Sequence, residues 1–261
     1  MKKIKIKGIL EKKGKEPIAC LSAYSSSIAK IIDKYCDIIL VGDSLGMTLY
    51  GMKNTKNVDF ETMLRHAESV KRFTKRSLVV FDMPYKTYEN KFMAYKNAKK
   101  AIKITRCDAV KIEGGKKVSN IVQHLVKKKI PVMGHIGLLP QSAINFKVQG
   151  KSVYQKKKIL DDAKAVSKSG VFALVIECVT ESLAKQITES VSVPTIGIGA
   201  SKYCDGQVLV IDDLIGLSNF LPKFVKQYAN VKKIIENSVK NYTKDVKLRR
   251  FPSNKHVYKI N

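Results

Sequence analysis

The sequence predicts a (β/α)8 TIM barrel, a single domain with a C-terminal helical tail. Three observations carry this expectation. Eight short apolar runs recur along the chain, each suited to a strand buried on both faces. Between them lie Lys-rich segments with apolar residues at helical spacing, and strand alternating with amphipathic helix marks a parallel α/β fold. The 261 residues, 44% of them hydrophobic, match the ~250 that one such barrel takes.

In chain order the expected strands cover residues 18–24, 38–43, 78–82, 109–113, 131–136, 172–178, 194–199 and 208–211. The first helical segment, 26–34, carries Ile28, Ile31 and Ile32 on one face. The next, 60–73, carries Met63, Leu64, Ala67 and Val70. Segment 88–105 repeats Phe92, Tyr95, Ala98 and Ile102, and segment 118–128 carries Ile121, Val122 and Leu125. Segments 159–168 and 182–190 are patterned likewise. The gaps after Asp43 and after His135 hold more than a helix, so each is expected to carry an active-site loop. The eighth unit is short. The barrel core is expected over about 18–222 and the tail over about 223–261, with no repeat or linker between them.

Composition excludes several classes. No apolar run approaches the ~20 residues of a membrane span. The basic amino terminus lacks the apolar core of a signal peptide, so a cytoplasmic protein is expected. Cys20, Cys36, Cys107, Cys178 and Cys204 form no C-x-x-C pair and are odd in number, against a disulfide framework or zinc knuckle. The formal net charge is +27, yet only six of the 49 basic residues are Arg, and the Lys residues are spread along the chain. That argues against nucleic acid, for which Arg gives the bidentate contacts, and leaves attraction of anionic substrates open.

Chemistry concentrates at the ends of the apolar runs: Asp43, Asp82, Glu113, His135 and Glu177 each close one. In a closed parallel barrel those ends form one rim, where active sites sit. Asp43, Asp82 and Glu113 come from three successive strands ~4.8 Å apart, and their like charges repel unless a cation joins them. All-oxygen ligation suits Mg2+ or Mn2+. The alternative is a set of helix N-caps. Lys111 lies two residues before Glu113 and so on the same side of the sheet, where it would hold an anion; the alternative is an outward Lys. Glu177 ends an otherwise apolar run across the barrel from the carboxylates, and an isolated Glu there would have a raised pKa and act as a base; the alternative is a structural pair with a Lys. For His135, metal ligand, substrate contact and satisfied core residue all stay open. Ser44 sits in no nucleophile elbow, but its hydroxyl could bind a carboxylate.

These motifs together resemble a known family. Val41-Gly-Asp-Ser-Leu-Gly-Met-Thr, Asp82-Met-Pro, Val110-Lys-Ile-Glu-Gly-Gly, Val132-Met-Gly-His-Ile-Gly-Leu, Pro140-Gln-Ser, Lys147-Val-Gln-Gly, Ile176-Glu-Cys-Val, Pro194-Thr-Ile-Gly-Ile-Gly-Ala and Asp205-Gly-Gln-Val-Leu-Val closely resemble ketopantoate hydroxymethyltransferase, in order and nearly in spacing. The resemblance implies a Mg2+-dependent barrel enzyme of pantothenate biosynthesis, one ion per subunit. It implies transfer of a hydroxymethyl group from 5,10-methylenetetrahydrofolate to 3-methyl-2-oxobutanoate, and a homodecamer. It further implies metal ligands Asp43, Asp82 and Glu113, a keto acid held by Asp43, Ser44, Asp82 and Lys111, and Glu177 as proton acceptor. The chain departs from the family pattern at Ser25, at Leu139 and in a shortened 140–147 loop. The alternative is the phosphoenolpyruvate mutase and isocitrate lyase group, which also binds a 2-oxo acid on Mg2+; its catalytic Cys loop has no counterpart here.

Overall fold

The computed structural model describes residues 2–143, 145–219 and 221–258. Eight parallel strands close a barrel in sequential order, β1 pairing with β8. They are β1 (Ile18–Ser22), β2 (Ile38–Val41), β3 (Leu78–Asp82), β4 (Ala109–Glu113), β5 (Val132–Gly137), β6 (Ala173–Glu177), β7 (Thr195–Ile198) and β8 (Gly206–Leu209). The helices are α1 (Ile6–Leu10), α2 (Ser26–Ile32), α3 (Leu45–Thr48), α4 (Phe60–Phe73), α5 (Lys91–Thr105), α6 (Ser119–Lys127), α7 (Val153–Lys168), α8 (Glu181–Ser190), α9 (Ile211–Ile215) and α10 (Val231–Lys247). The chain divides into two compact units, Met1–Ile211, which holds the barrel, and Asp212–Asn261. In the second unit α10 runs between the Asn230 cap and Leu248, and none of its residues is buried. No helix among the described residues is long and apolar enough to cross a membrane.

The barrel interior is filled by alternate residues of its strands. Ile18 and Cys20, Ile38 and Leu40, Leu78 and Val80, Ala109, Met133, Ala173 and Val175, Ile196 and Val208 form one cluster, joined by Ile9 from α1. β8 begins at Gly206, two residues before the expected start. There it pairs with Ile18 and Ile196, and a Cβ would stand 2.4 Å from the Ile18 carbonyl oxygen, so only glycine closes the sheet here.

Two helices bury a different face from the expected one. α5 turns Ala94, Ala98 and Ala101 inward, while Phe92 is exposed and packs with Tyr95 edge-on to His124 of α6. Small residues let this helix approach the sheet, and its rings cover the neighbouring helix instead. In α2, Ala29 and Ile32 are buried and Ile31 is exposed. α4 buries the four residues expected of it. Caps set the helix starts. Asn90 accepts the amides of Phe92 and Met93, so α5 starts after the expected 88, and Ser152 accepts that of Gln155, so α7 starts before the expected 159.

Candidate active site

Strand parity puts charge at the barrel mouth. Side chains two residues apart share a face. The files that begin with core residues Leu78 and Val80, with Ala109, with Met133, and with Ala173 and Val175 end in Asp82, in Lys111 and Glu113, in His135, and in Glu177. Register then decides which of these meet. Asp82 stands opposite Lys111, and Glu113 opposite His135. The Lys111 Nζ lies 2.7 and 2.9 Å from the two Asp82 oxygens. His135 places Nδ1 3.4 Å from Glu113 Oε2 and Nε2 3.2 Å from Glu177 Oε2. Each ring nitrogen thus faces one carboxylate oxygen. Glu177 is therefore not isolated across the mouth, as expected from its apolar strand. His135 bridges it to Glu113. Gly137, in register with Glu177, has φ +92°, and a Cβ there would meet the Glu177 carbonyl oxygen at 2.4 Å.

Asp43 follows β2 in the loop to α3. Its amide donates to Asp82 Oδ2 at 3.3 Å, and its Oδ2 accepts the Gln141 side-chain amide at 2.8 Å. Neither Asp43 nor Asp82 caps a helix. Ser44 lies beside them, half-buried, its Oγ 2.7 Å from the Tyr24 hydroxyl. The alternative of an outward Lys111 fails, since that residue is buried inside the mouth.

The electrostatics follow from this crowding. Burial pushes the Asp43 carboxyl up to about 8, with the nearby Asp82 charge adding to it. Burial also raises Asp82, against the pull of Lys111. Lys111 is desolvated, but Asp82, Glu113 and Asp43 outweigh this and hold its pKa above the usual range. Burial and the Lys111 ammonium oppose a proton on His135; the Glu113 and Glu177 carboxylates overcome them and push it up to about 9. The mouth thus holds desolvated carboxylates in excess of its cations.

A hard divalent ion takes oxygen donors such as these carboxylates. As they stand, Lys111 and Gln141 bond oxygens of Asp82 and Asp43, and the described residues present no group of three or more His, Cys, Asp or Glu that could hold a metal ion.

Three site residues were not singled out from the sequence. Gln141, in the loop after β5, bonds Asp43, Glu113, Met83 and Tyr88. Tyr88 and Tyr24 reach the mouth from loops. The quoted Pro140-Gln-Ser motif was the only signal for any of them.

A closed parallel barrel with buried ionisable residues at the carboxyl ends of its strands defines the protein as a (β/α)8-barrel enzyme. Residues 3–254 match the model of the family described as ketopantoate hydroxymethyltransferase. A protein of Pelagibacter ubique (strain HTCC1062), named 3-methyl-2-oxobutanoate hydroxymethyltransferase, is 54% identical over 97% of this chain and 99% of its own. One of the same name from Anaplasma marginale (strain Florida) is 46% identical over 98% and 93%. The chain belongs to the ketopantoate hydroxymethyltransferase family and is a hydroxymethyl-transferring enzyme. Among solved structures, 2,3-dimethylmalate lyase, a member of the PEP mutase/isocitrate lyase superfamily, is similar with a TM-score of 0.62 at 11% identity, over 92% of this chain and 85% of that one. Phosphonopyruvate hydrolase gives 0.65 at 9% identity, over 100% and 92%. The lyase group shares the fold with this chain and no more.

Proposed function

We propose that this enzyme transfers a hydroxymethyl group from 5,10-methylenetetrahydrofolate to 3-methyl-2-oxobutanoate, giving 2-dehydropantoate for pantothenate synthesis. The observation that supports the reading is that Asp43, Asp82, Lys111, Glu113 and Glu177, nominated by the family motifs, are all side chains of one barrel mouth.

In this reading Asp43, Asp82 and Glu113 hold one Mg2+ per subunit. Held there, such an ion would supply Lewis-acid stabilisation of the charge that develops on the acid. Lys111, kept charged by its carboxylate neighbours, offsets the acid's own carboxylate. Ser44, held by Tyr24, offers its hydroxyl to the same group. Glu177 takes the proton from C3. His135, as imidazolium, holds Glu177 by charge and keeps the base aimed. The C3 carbanion then bonds to the one-carbon unit of the folate. Both bonds from that carbon to the folate nitrogens break, water supplies the hydroxyl, and tetrahydrofolate leaves with the proton taken from C3 and the second proton of the water. A homodecamer acting in the cytoplasm belongs to this reading, and sedimentation velocity tests the assembly.

The experiment is deuterium exchange at C3 of 3-methyl-2-oxobutanoate, followed by NMR with and without Mg2+. The expected outcome is Mg2+-dependent exchange that falls by about 10³-fold in Glu177→Gln. Exchange that persists in folded Glu177→Gln removes Glu177 from the base role.

A further inference from the structure

We propose that the folate leaves the barrel mouth through a groove between the loops after β4 and β5 and helix α7, its p-aminobenzoyl ring against Leu139 and Tyr85 and its glutamyl carboxylates on Lys117 and Lys158. The inference rests on the folate reading above.

A cavity of about 470 Å3 opens beside the mouth, within the ~300–1,000 Å3 of small-molecule sites. Glu113 and Gln141, both buried, form its inner end. Tyr85, Val118 and Leu139 give it an apolar wall. Lys86, Lys117 and Lys158, all exposed, also line it. A second cavity of about 350 Å3 shares Gly115, Leu139, Lys158 and Asp162 with the first and continues to Ser152 and Gln155 at the start of α7. One groove thus runs from the mouth out along α7.

The backbone fixes its walls. Asp162 of α7 accepts the Lys116 amide at 2.7 Å. A Cβ on Gly115 would stand 2.0 Å from Asp162 Cγ, so only glycine lets the β4 loop press this close to the helix. That approach brings Lys117 of the loop and Lys158 of the helix to one cavity. Among the described residues neither ammonium makes an ion pair or hydrogen bond. The acids beside them are Glu89 and Asp162, the latter already holding the Lys116 amide.

The co-substrate is long and anionic at one end only. Its reacting carbon must reach the mouth, where Asp43, Asp82, Glu113 and Glu177 would repel a carboxylate. The glutamyl end therefore has to leave the mouth, and the groove leads it to two free cations. The flat ring between the reacting carbon and that end meets the apolar wall on the way. Lysine pairs with a carboxylate as a point charge, which suits a flexible tail.

The test compares 5,10-methylenetetrahydrofolate with an analogue that ends in a primary amide in place of the glutamyl group. Each is assayed on the full-length wild type, Lys117→Gln/Lys158→Gln and Leu139→Ala. Lys30→Gln/Lys34→Gln removes the same charge from two exposed residues of the α2 region and serves as control. The wild type is expected to show a higher KM for the amide than for the folate. Lys117→Gln/Lys158→Gln should raise KM for the folate about 10-fold, as for two part-exposed charge pairs, and leave KM for the amide at its wild-type value. Leu139→Ala should raise both a few-fold, since both carry the ring. The control should match the wild type with either substrate. Equal KM values for the two substrates in the wild type overturn the proposal without any variant. A rise in Lys117→Gln/Lys158→Gln that is the same for both substrates, or that the control reproduces, overturns it too. In each of these cases the folate reading stands, because the wild type turns over the folate. A wild type that turns over neither substrate overturns both.

Discussion

Lys111 and Asp82 occupy places that neither could hold alone. Their side chains are 5% and 3% exposed and bond each other twice. Removing one member of such a pair leaves a desolvated charge and costs about 3–5 kcal/mol, whereas replacing both with apolar groups costs far less. Asp82→Ala is therefore expected to lower unfolding free energy by about that amount in urea denaturation, and Asp82→Ala/Lys111→Met to recover much of it. Equal losses in the two proteins would show that the pair is not what the fold depends on. At this scale the sequence was informative wherever parity governs. Lys111 and Glu113 share a face because they are two apart on one strand, and Asp82 lies at a strand end. It was silent where register or loop reach governs. That His135 touches both Glu113 and Glu177 follows from the offsets of three strands, which no single run reveals. That Gln141 reaches Asp43 depends on a loop folding back across the mouth.

The opposite rim of the barrel is built on a repeated element. An Asp just before a strand accepts the first free amide of the strand preceding it. Asp37 takes the Ala19 amide at 3.0 Å, Asp108 that of Val79 at 2.8 Å and Asp205 that of Thr195 at 2.8 Å. The amino-terminal segment supplies the counter-charges, Lys12 to Asp37, Lys3 to Asp108 and Lys13 to Asp205. These contacts join residues far apart in sequence, so the segment's run of Lys looked like solvated charge until the fold placed it. Burial pushes the Asp205 carboxyl up, but Lys13 and the amides of Thr195 and Gly14 outweigh it and leave its pKa below the usual range. The sign follows. A carboxylate with a depressed folded pKa adds stability that is complete above its unfolded pKa of ~3.9 and lost as pH falls through the folded value. Asp205→Asn is expected to lose about 1–3 kcal/mol at pH 7 and to show a shallower decline of stability below pH ~4 than wild type. Thermal unfolding across pH measures both; parallel curves for the two proteins would refute the assignment.

At the scale of the molecule, 49 basic residues face 22 acidic ones. The acids are partly withdrawn from the surface: Asp43, Asp82, Glu113, Asp33 and Asp37 are all buried. What an approaching solute meets is therefore mostly Lys. Such a field draws anions from a distance and is screened over ~10 Å at 0.1 M salt. Alternating strands and helices announced the barrel because the hydrophobic pattern must repeat with it. The charge announced nothing as definite, since a field acts on any anion and identifies none. Its consequence can be separated from chemistry at the mouth by varying only the distal charge of the folate, whose glutamate tail lengthens without altering the reacting carbon. If the field aids capture, kcat/KM should fall as NaCl rises, and more steeply for a triglutamyl than for a monoglutamyl folate, with kcat unchanged for both. Parallel slopes would mean that salt acts on the mouth itself, where Lys111 and the proposed Mg2+ meet the keto acid, and that the surface Lys residues contribute nothing to capture.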